Sequence, residues 1–113
     1  MWAIDLSNDL QREDCPAKQF IESLPLASQK SLAAVLAQHG DFGPLKNEQK
    51  SRYLEDGIYE FKNRQGARLF YFYARGGRTV ITHGCMKPKK KALKTEIDRA
   101  KGLRTKWQEV SKE

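Results

Sequence analysis

The chain has little of what redox, metal or membrane chemistry needs. Two cysteines, Cys15 and Cys85, are its whole thiol complement. They have neither near partners nor metal-type spacing, which excludes a disulfide framework and fits reduced thiols in the cytoplasm. No apolar run approaches the ~20 residues that cross a bilayer, so no membrane association is expected. The opening Met1-Trp2-Ala3-Ile4-Asp5 has no basic stretch followed by an apolar one, so no secretory signal is read there. No His, Cys, Asp and Glu cluster has ligand spacing, so neither a metal nor a cofactor is expected. Gly76-Gly77 reads as a turn, not a phosphate cradle. No Ser, His and Asp arrangement is specific. Repeats and low-complexity linkers are absent too.

What is present fits one globular domain, 1–113. Hydrophobic residues make up 39% and charged residues 31% of 113, a globular and somewhat polar balance. The charge is unevenly placed. Residues 1–57 carry six Lys/Arg against nine Asp/Glu, a net of −3; residues 58–113 carry fifteen against five, a net of +10. A half that holds all the excess positive charge points to a polyanion-facing surface, although solubility alone also accounts for a basic protein.

The periodicities give an order of elements. Trp2, Ile4 and Leu6 alternate as in a short edge strand. Pro16 suits a first helical turn, and Ala17, Phe20, Ile21 and Leu24 recur at helical spacing. Pro25 opens a second helix, with Leu32, Val35 and Leu36 on one stripe and Gly40 as its stop. Residues 40 to 57 read as a loop, with a helical turn near Asn47 to Tyr53. Ile58 to Lys62, Arg68 to Tyr73 and Thr79 to His83 read as three strands joined by turns at Asn63 to Gly66 and Arg75 to Arg78. Leu93, Ile97, Ala100, Leu103, Trp107 and Val110 mark the apolar face of a last helix. The expected fold is α+β. An N-terminal helical hairpin and a C-terminal helix pack on one face of a small antiparallel sheet of three to four strands.

Three features carry possible chemistry. Lys89, Lys90 and Lys91, with Lys87 nearby, fall at the start of the last helix, where cations oppose the macrodipole. An anion site accounts for that arrangement, and so does a solvated charge run. Lys62 and Arg64 end one strand and Arg68 begins the next, so Lys62 and Arg68 meet across the ladder. Such a pair repels unless an anion lies between them, the two point to opposite faces, or Glu60 neutralises one. The aromatics Tyr59, Phe61, Phe70, Tyr71, Phe72 and Tyr73 alternate between faces. About two-thirds of them are assigned to the core, and any remainder beside cations suits single-stranded RNA. His83 is a candidate general acid or base, or a packed strand residue. His39 reads as structural.

Tyr59-Glu60-Phe61-Lys62, Gly66-Ala67-Arg68-Leu69-Phe70-Tyr71, Ile81-Thr82-His83-Gly84, and Lys87 with the lysine run before Glu96-Ile97-Asp98-Arg99-Ala100 form an ordered series. In it the chain resembles the phage-derived, HigB-like branch of the RelE/ParE toxins, over about residues 53 to 104. The resemblance implies a RelE-like fold and a toxin of a type II toxin–antitoxin system. It also implies a metal-independent endoribonuclease that cuts mRNA, usually on the ribosome. In that reaction the 2′-hydroxyl attacks the adjacent phosphate, leaving a cyclic phosphate and a 5′-hydroxyl. The usual partner is a cognate helix-turn-helix antitoxin.

The resemblance places basic site residues at Lys62, Arg68 and Lys87 and an acidic one at Glu60. Cys85 stands where an aromatic is usual, Ala92-Leu93 where a proline is common, and neither Tyr nor His follows His83. Arg68 and Lys87 suit the charge that builds on the phosphoryl oxygens. Glu60, His83 or a lysine remains as the base, and Lys62 or Lys87 as the acid. Arg64, Lys89, Lys90 and Lys91 are the expected RNA contacts. The alternatives are a non-catalytic ParE-like topoisomerase inhibitor and an RNA-binding module.

Overall fold

The computed structural model describes residues 4–5, 16–42, 50–74 and 78–111. Its elements are β1 (Ile4–Asp5), α1 (Pro16–Glu22), α2 (Leu26–Phe42), β2 (Ser51–Glu55), β3 (Ile58–Lys62), β4 (Ala67–Tyr73), β5 (Thr79–Met86) and α3 (Lys90–Ser111). The strands form one antiparallel sheet in the order β1-β5-β4-β3-β2, in which β1 adds only two residues. The α+β class, the helical hairpin and the C-terminal helix match the expectation from sequence. The turn expected at Arg75 to Arg78 lies largely outside the described residues.

Local chemistry sets the hairpin. Pro16 occupies the first position of α1, where its missing N–H costs nothing. Pro25 separates the helices, and the Gln29 side-chain amide donates to the Leu24 carbonyl at 2.8 Å across the junction. Helix α2 does not stop at Gly40; it runs two residues further to Phe42. A single glycine lowers helix propensity by about 1 kcal/mol but does not by itself end a helix.

Two expectations are corrected. The loop expected over residues 40 to 57 contains a strand. Ser51–Glu55 pairs with β3 through a tight turn at Asp56 and Gly57, whose φ values are 50° and 79°. An Asp-Gly pair with both φ positive matches the twist of flanking strands. The helices also do not share one face. Ala17, Leu24, Leu32 and Val35 pack on Phe61, Leu69, Tyr71 and Ile81, whereas Ala100 and Trp107 pack on Ile58, Phe70, Phe72 and Val80. Strand β4 supplies apolar side chains to both sides, Leu69 and Tyr71 to one and Phe70 and Phe72 to the other, so both faces need a cover.

One irregularity decides a side chain's face. Phe70 pairs with His83 and Tyr71 with Ile81, which leaves Thr82 as an extra residue in β5. This bulge re-phases the strand. Ile81 faces α1 and α2, and His83, two residues on, faces α3 with its ring stacked on Phe70 at 4.8 Å between centroids.

Candidate basic site at the β3–β4 end

Alternate rungs of the sheet assemble the site. Lys62 lies directly opposite Arg68, and Arg68 opposite Cys85. Two rungs inward, past Ser51, Phe61, Leu69 and Gly84, the ladder reads Arg52, Glu60, Phe70 and His83. On the outer side, the Lys62 N–H donates to the Lys50 carbonyl at 2.9 Å, which extends the basic rung by one more lysine.

Glu60 is the acidic centre. Its side chain is 1% exposed. Oε1 accepts from Arg52 Nη2 at 3.1 Å and lies 3.6 Å from Arg68 Nε. Arg68 is held further by its own Nη1, which donates to the Ala67 carbonyl at 3.1 Å, and its side chain is only 12% exposed. Oε2 of Glu60 is buried with no hydrogen-bond partner among the described residues. A buried carboxylate thus fixes two guanidiniums while retaining one unused acceptor. Of the readings open in the sequence, the Lys62–Arg68 rung adopts the one in which Glu60 neutralises a partner.

The other basic candidates share this end of the molecule. Arg64 is exposed in the β3–β4 turn. That turn is locked by Asn63, whose Oδ1 accepts the Ala67 N–H at 2.8 Å and whose Nδ2 donates to Ser28 Oγ at 2.9 Å. Lys87 is exposed one residue beyond β5, and its N–H donates to the Gly66 carbonyl of the same turn at 2.7 Å. Lys89, Lys90 and Lys91 follow at the exposed start of α3, whose first turn has no acidic residue.

His83 stands apart from solvent. It is fully buried beneath α3. Nε2 lies 2.7 Å from Glu96 Oε2 and Nδ1 lies 3.2 Å from Thr82 Oγ1. A carboxylate only accepts, so Nε2 carries a hydrogen and donates it. Burial holds the imidazole below its ordinary pKa, Arg99 adds to that shift, and the Glu96 carboxylate opposes it. Both ring nitrogens face protein groups, so His83 fastens α3 to the sheet. Burial pushes the Cys85 thiol up to about 12, which disfavours its thiolate form.

Helix α3 is also fastened to the β2–β3 turn. Lys101 Nζ reaches Glu55 at 2.8 Å and Asp56 at 2.7 Å, Lys94 reaches Glu55 at 3.0 Å, and Arg104 donates to the Asp56 carbonyl. The acidic residues of the β2–β3 turn are therefore engaged with α3, opposite the basic end.

The aromatics divide as the composition of a core requires. Phe61, Phe70, Tyr71 and Phe72 are buried, while Tyr59 and Tyr73 are half-buried. Tyr71 and Ser51 share a buried hydroxyl–hydroxyl bond of 2.5 Å. The exposed ring beside this stack is Tyr53, 5.0 Å from Tyr59. Arg52, Lys50 and Glu96 are the site residues the sequence did not single out. Asp56-Gly57 was the available signal for the first, because a hairpin there puts Arg52 opposite Glu60. No three His, Cys, Asp or Glu side chains gather in a metal-binding arrangement among the described residues, and no helix among them is long and apolar enough to cross a membrane.

No curated protein matches the chain. The profile of the family described as phage derived protein Gp49-like (DUF891) matches residues 19–105, from α1 through most of α3. That span contains the Arg52–Glu60–Arg68 cluster, the β3–β4 turn and the lysine run. The chain belongs to this phage-derived Gp49-like family, a RelE/toxin-like family.

Proposed function

We propose that the protein is the toxin of a type II toxin–antitoxin system and acts as an endoribonuclease on mRNA, in the manner of RelE-like toxins. The observation that carries the reading is the basic rung Lys62–Arg68, held from behind by the buried Glu60 and sharing its end of the sheet with Arg64, Lys87, Lys89, Lys90 and Lys91. Cleavage by 2′-hydroxyl attack builds negative charge on the phosphoryl oxygens. Fixed cations stabilise that charge in the transition state more than in the ground state.

In this reading Arg68 binds the phosphoryl oxygens, and its planar guanidinium suits two of them at once. Glu60 orients Arg68 and Arg52, and its second oxygen, buried but without a hydrogen-bond partner among the described residues, is the candidate acceptor for the 2′-hydroxyl proton. Lys62 or Lys87 protonates the departing 5′ oxygen. Arg64 and the lysine run bind flanking phosphates. His83 acts by holding α3 rather than by touching RNA. The expected partners are ribosome-bound mRNA and a helix-turn-helix antitoxin, and finding a short adjacent reading frame that encodes such a protein would support the pairing.

The test is cleavage of ribosome-bound message by the wild type and by Arg68→Ala. The wild type is expected to cut, and the variant to lose at least a hundredfold in rate, the scale seen when one such donor is removed. Equal cutting overturns the assignment. A specific observation favours a second reading, a non-catalytic inhibitor of a topoisomerase: Glu60 and His83 are both almost wholly buried, which such an inhibitor tolerates because it needs no base. It predicts DNA-damage signalling with intact mRNA on expression, where the nuclease predicts fast translation arrest.

A further inference from the structure

A cleft of about 460 Å³ opens between α2 and the end of β3. It lies next to the basic rung and on the side of the sheet away from α3. Its charge comes from Lys50 and Arg64, and Lys62 also lines it. Ser31 and Gln38 of α2 add polar groups, and Val35 gives an apolar wall. No Asp or Glu is among the described residues that line it.

From this geometry we infer that the α2–β3 cleft is a second RNA subsite, which takes a phosphodiester and its sugar next to the linkage that is cut. The inference rests on the RNA-cleavage reading of the neighbouring rung. Lys50 is pre-positioned: its Nζ donates to Gln38 Oε1 at 2.9 Å, a neutral acceptor that steers the ammonium without cancelling its charge. Arg64 is carried by a turn that Asn63 fixes to Ser28 of α2 and to Ala67, so its backbone is set relative to both walls. The cleft is large enough for one nucleotide. Lys62 belongs to both places, on the wall of the cleft and about one strand spacing, ~5 Å, from Arg68 in the ladder. A strand of RNA that rounds the end of β3 therefore meets cations on both sides of the sheet. A phosphodiester suits this setting because it carries one negative charge and four oxygens that accept hydrogen bonds.

The experiment measures binding apart from cleavage. A six-nucleotide single-stranded RNA with 2′-O-methyl groups, which cannot attack, is titrated into the wild type, Lys50→Ala and Ala34→Glu, with a dinucleotide of the same chemistry as the control. Ala34 lies on the exposed wall of the cleft, so a glutamate there adds repulsion without disturbing the core. Ala34→Glu is expected to weaken hexanucleotide binding about tenfold while its dinucleotide binding and melting temperature stay as in wild type, and Lys50→Ala to lower the hexanucleotide salt slope by about 0.7. Wild-type hexanucleotide binding in both variants overturns the subsite. If Arg68→Ala has meanwhile lost cleavage, the nuclease reading stands without it. If the wild type binds neither RNA and cuts no message, both fall.

Discussion

Glu60 is the residue on which the basic end depends. A carboxylate in that position neutralises a nearly buried guanidinium and fixes its direction. Removing it leaves Arg68 buried and unpaired, so Glu60→Ala is expected to cost about 3 kcal/mol, read as a lower urea midpoint at unchanged slope. An unchanged midpoint contradicts the clamp. His83 makes a second prediction. The folded chain keeps its imidazole neutral, whereas the unfolded chain takes up a proton near the ordinary value of 6.5. The unfolded state binds more protons below that pH, so stability falls as pH drops from 7 to 5. His83→Gln is expected to flatten that fall in a pH series of denaturation midpoints, and a slope identical to wild type sinks the assignment. The sequence showed His83 as a strand residue but not its depth. Regular alternation puts it on the face of Ile81, and only the extra residue Thr82 turns it to α3.

At the scale of elements, α3 carries one weak point and β5 one close contact. A Cβ on Gly102 meets nothing within 4 Å, so Gly102→Ala is expected to stabilise the helix by about 1 kcal/mol and raise the melting temperature by about 4 °C. A Cβ on Gly84 meets the Phe20 ring and lies 2.8 Å from Leu69 Cδ2, so Gly84→Ala forces α1 away from the sheet and lowers the melting temperature. Opposite signs at two glycines test the packing directly. Both helices of the hairpin and α3 were legible because their apolar stripes are long and periodic. The strand β2 was not, since Ser51-Arg52-Tyr53-Leu54-Glu55 has little apolar alternation and its only local signal is the Asp56-Gly57 turn. The two-sided sheet was written in the unbroken apolar run Leu69-Phe70-Tyr71-Phe72, which a one-sided sheet does not need.

Across the whole molecule, charge is sorted by position. Glu55 and Asp56 hold Lys94 and Lys101 at the β2–β3 turn, while Arg64, Lys87, Lys89, Lys90 and Lys91 are exposed at the other end. The sequence showed the imbalance between its halves, but only the sheet register shows that residues far apart in the chain, Arg52, Glu60 and Arg68, form one cluster. An electrostatic surface of this kind gives RNA affinity that falls with log salt, with a slope of about −2 for three phosphate contacts. A flat salt dependence contradicts an RNA-facing end. The central claim is chemical, and the most direct measurement is the chemistry of the cut ends. Message incubated on ribosomes with the wild-type protein is predicted to yield fragments ending in a 2′,3′-cyclic phosphate and beginning with a 5′-hydroxyl, and folded Arg68→Ala to yield none. Intact message with the wild type, or the same fragments from both proteins, contradicts it.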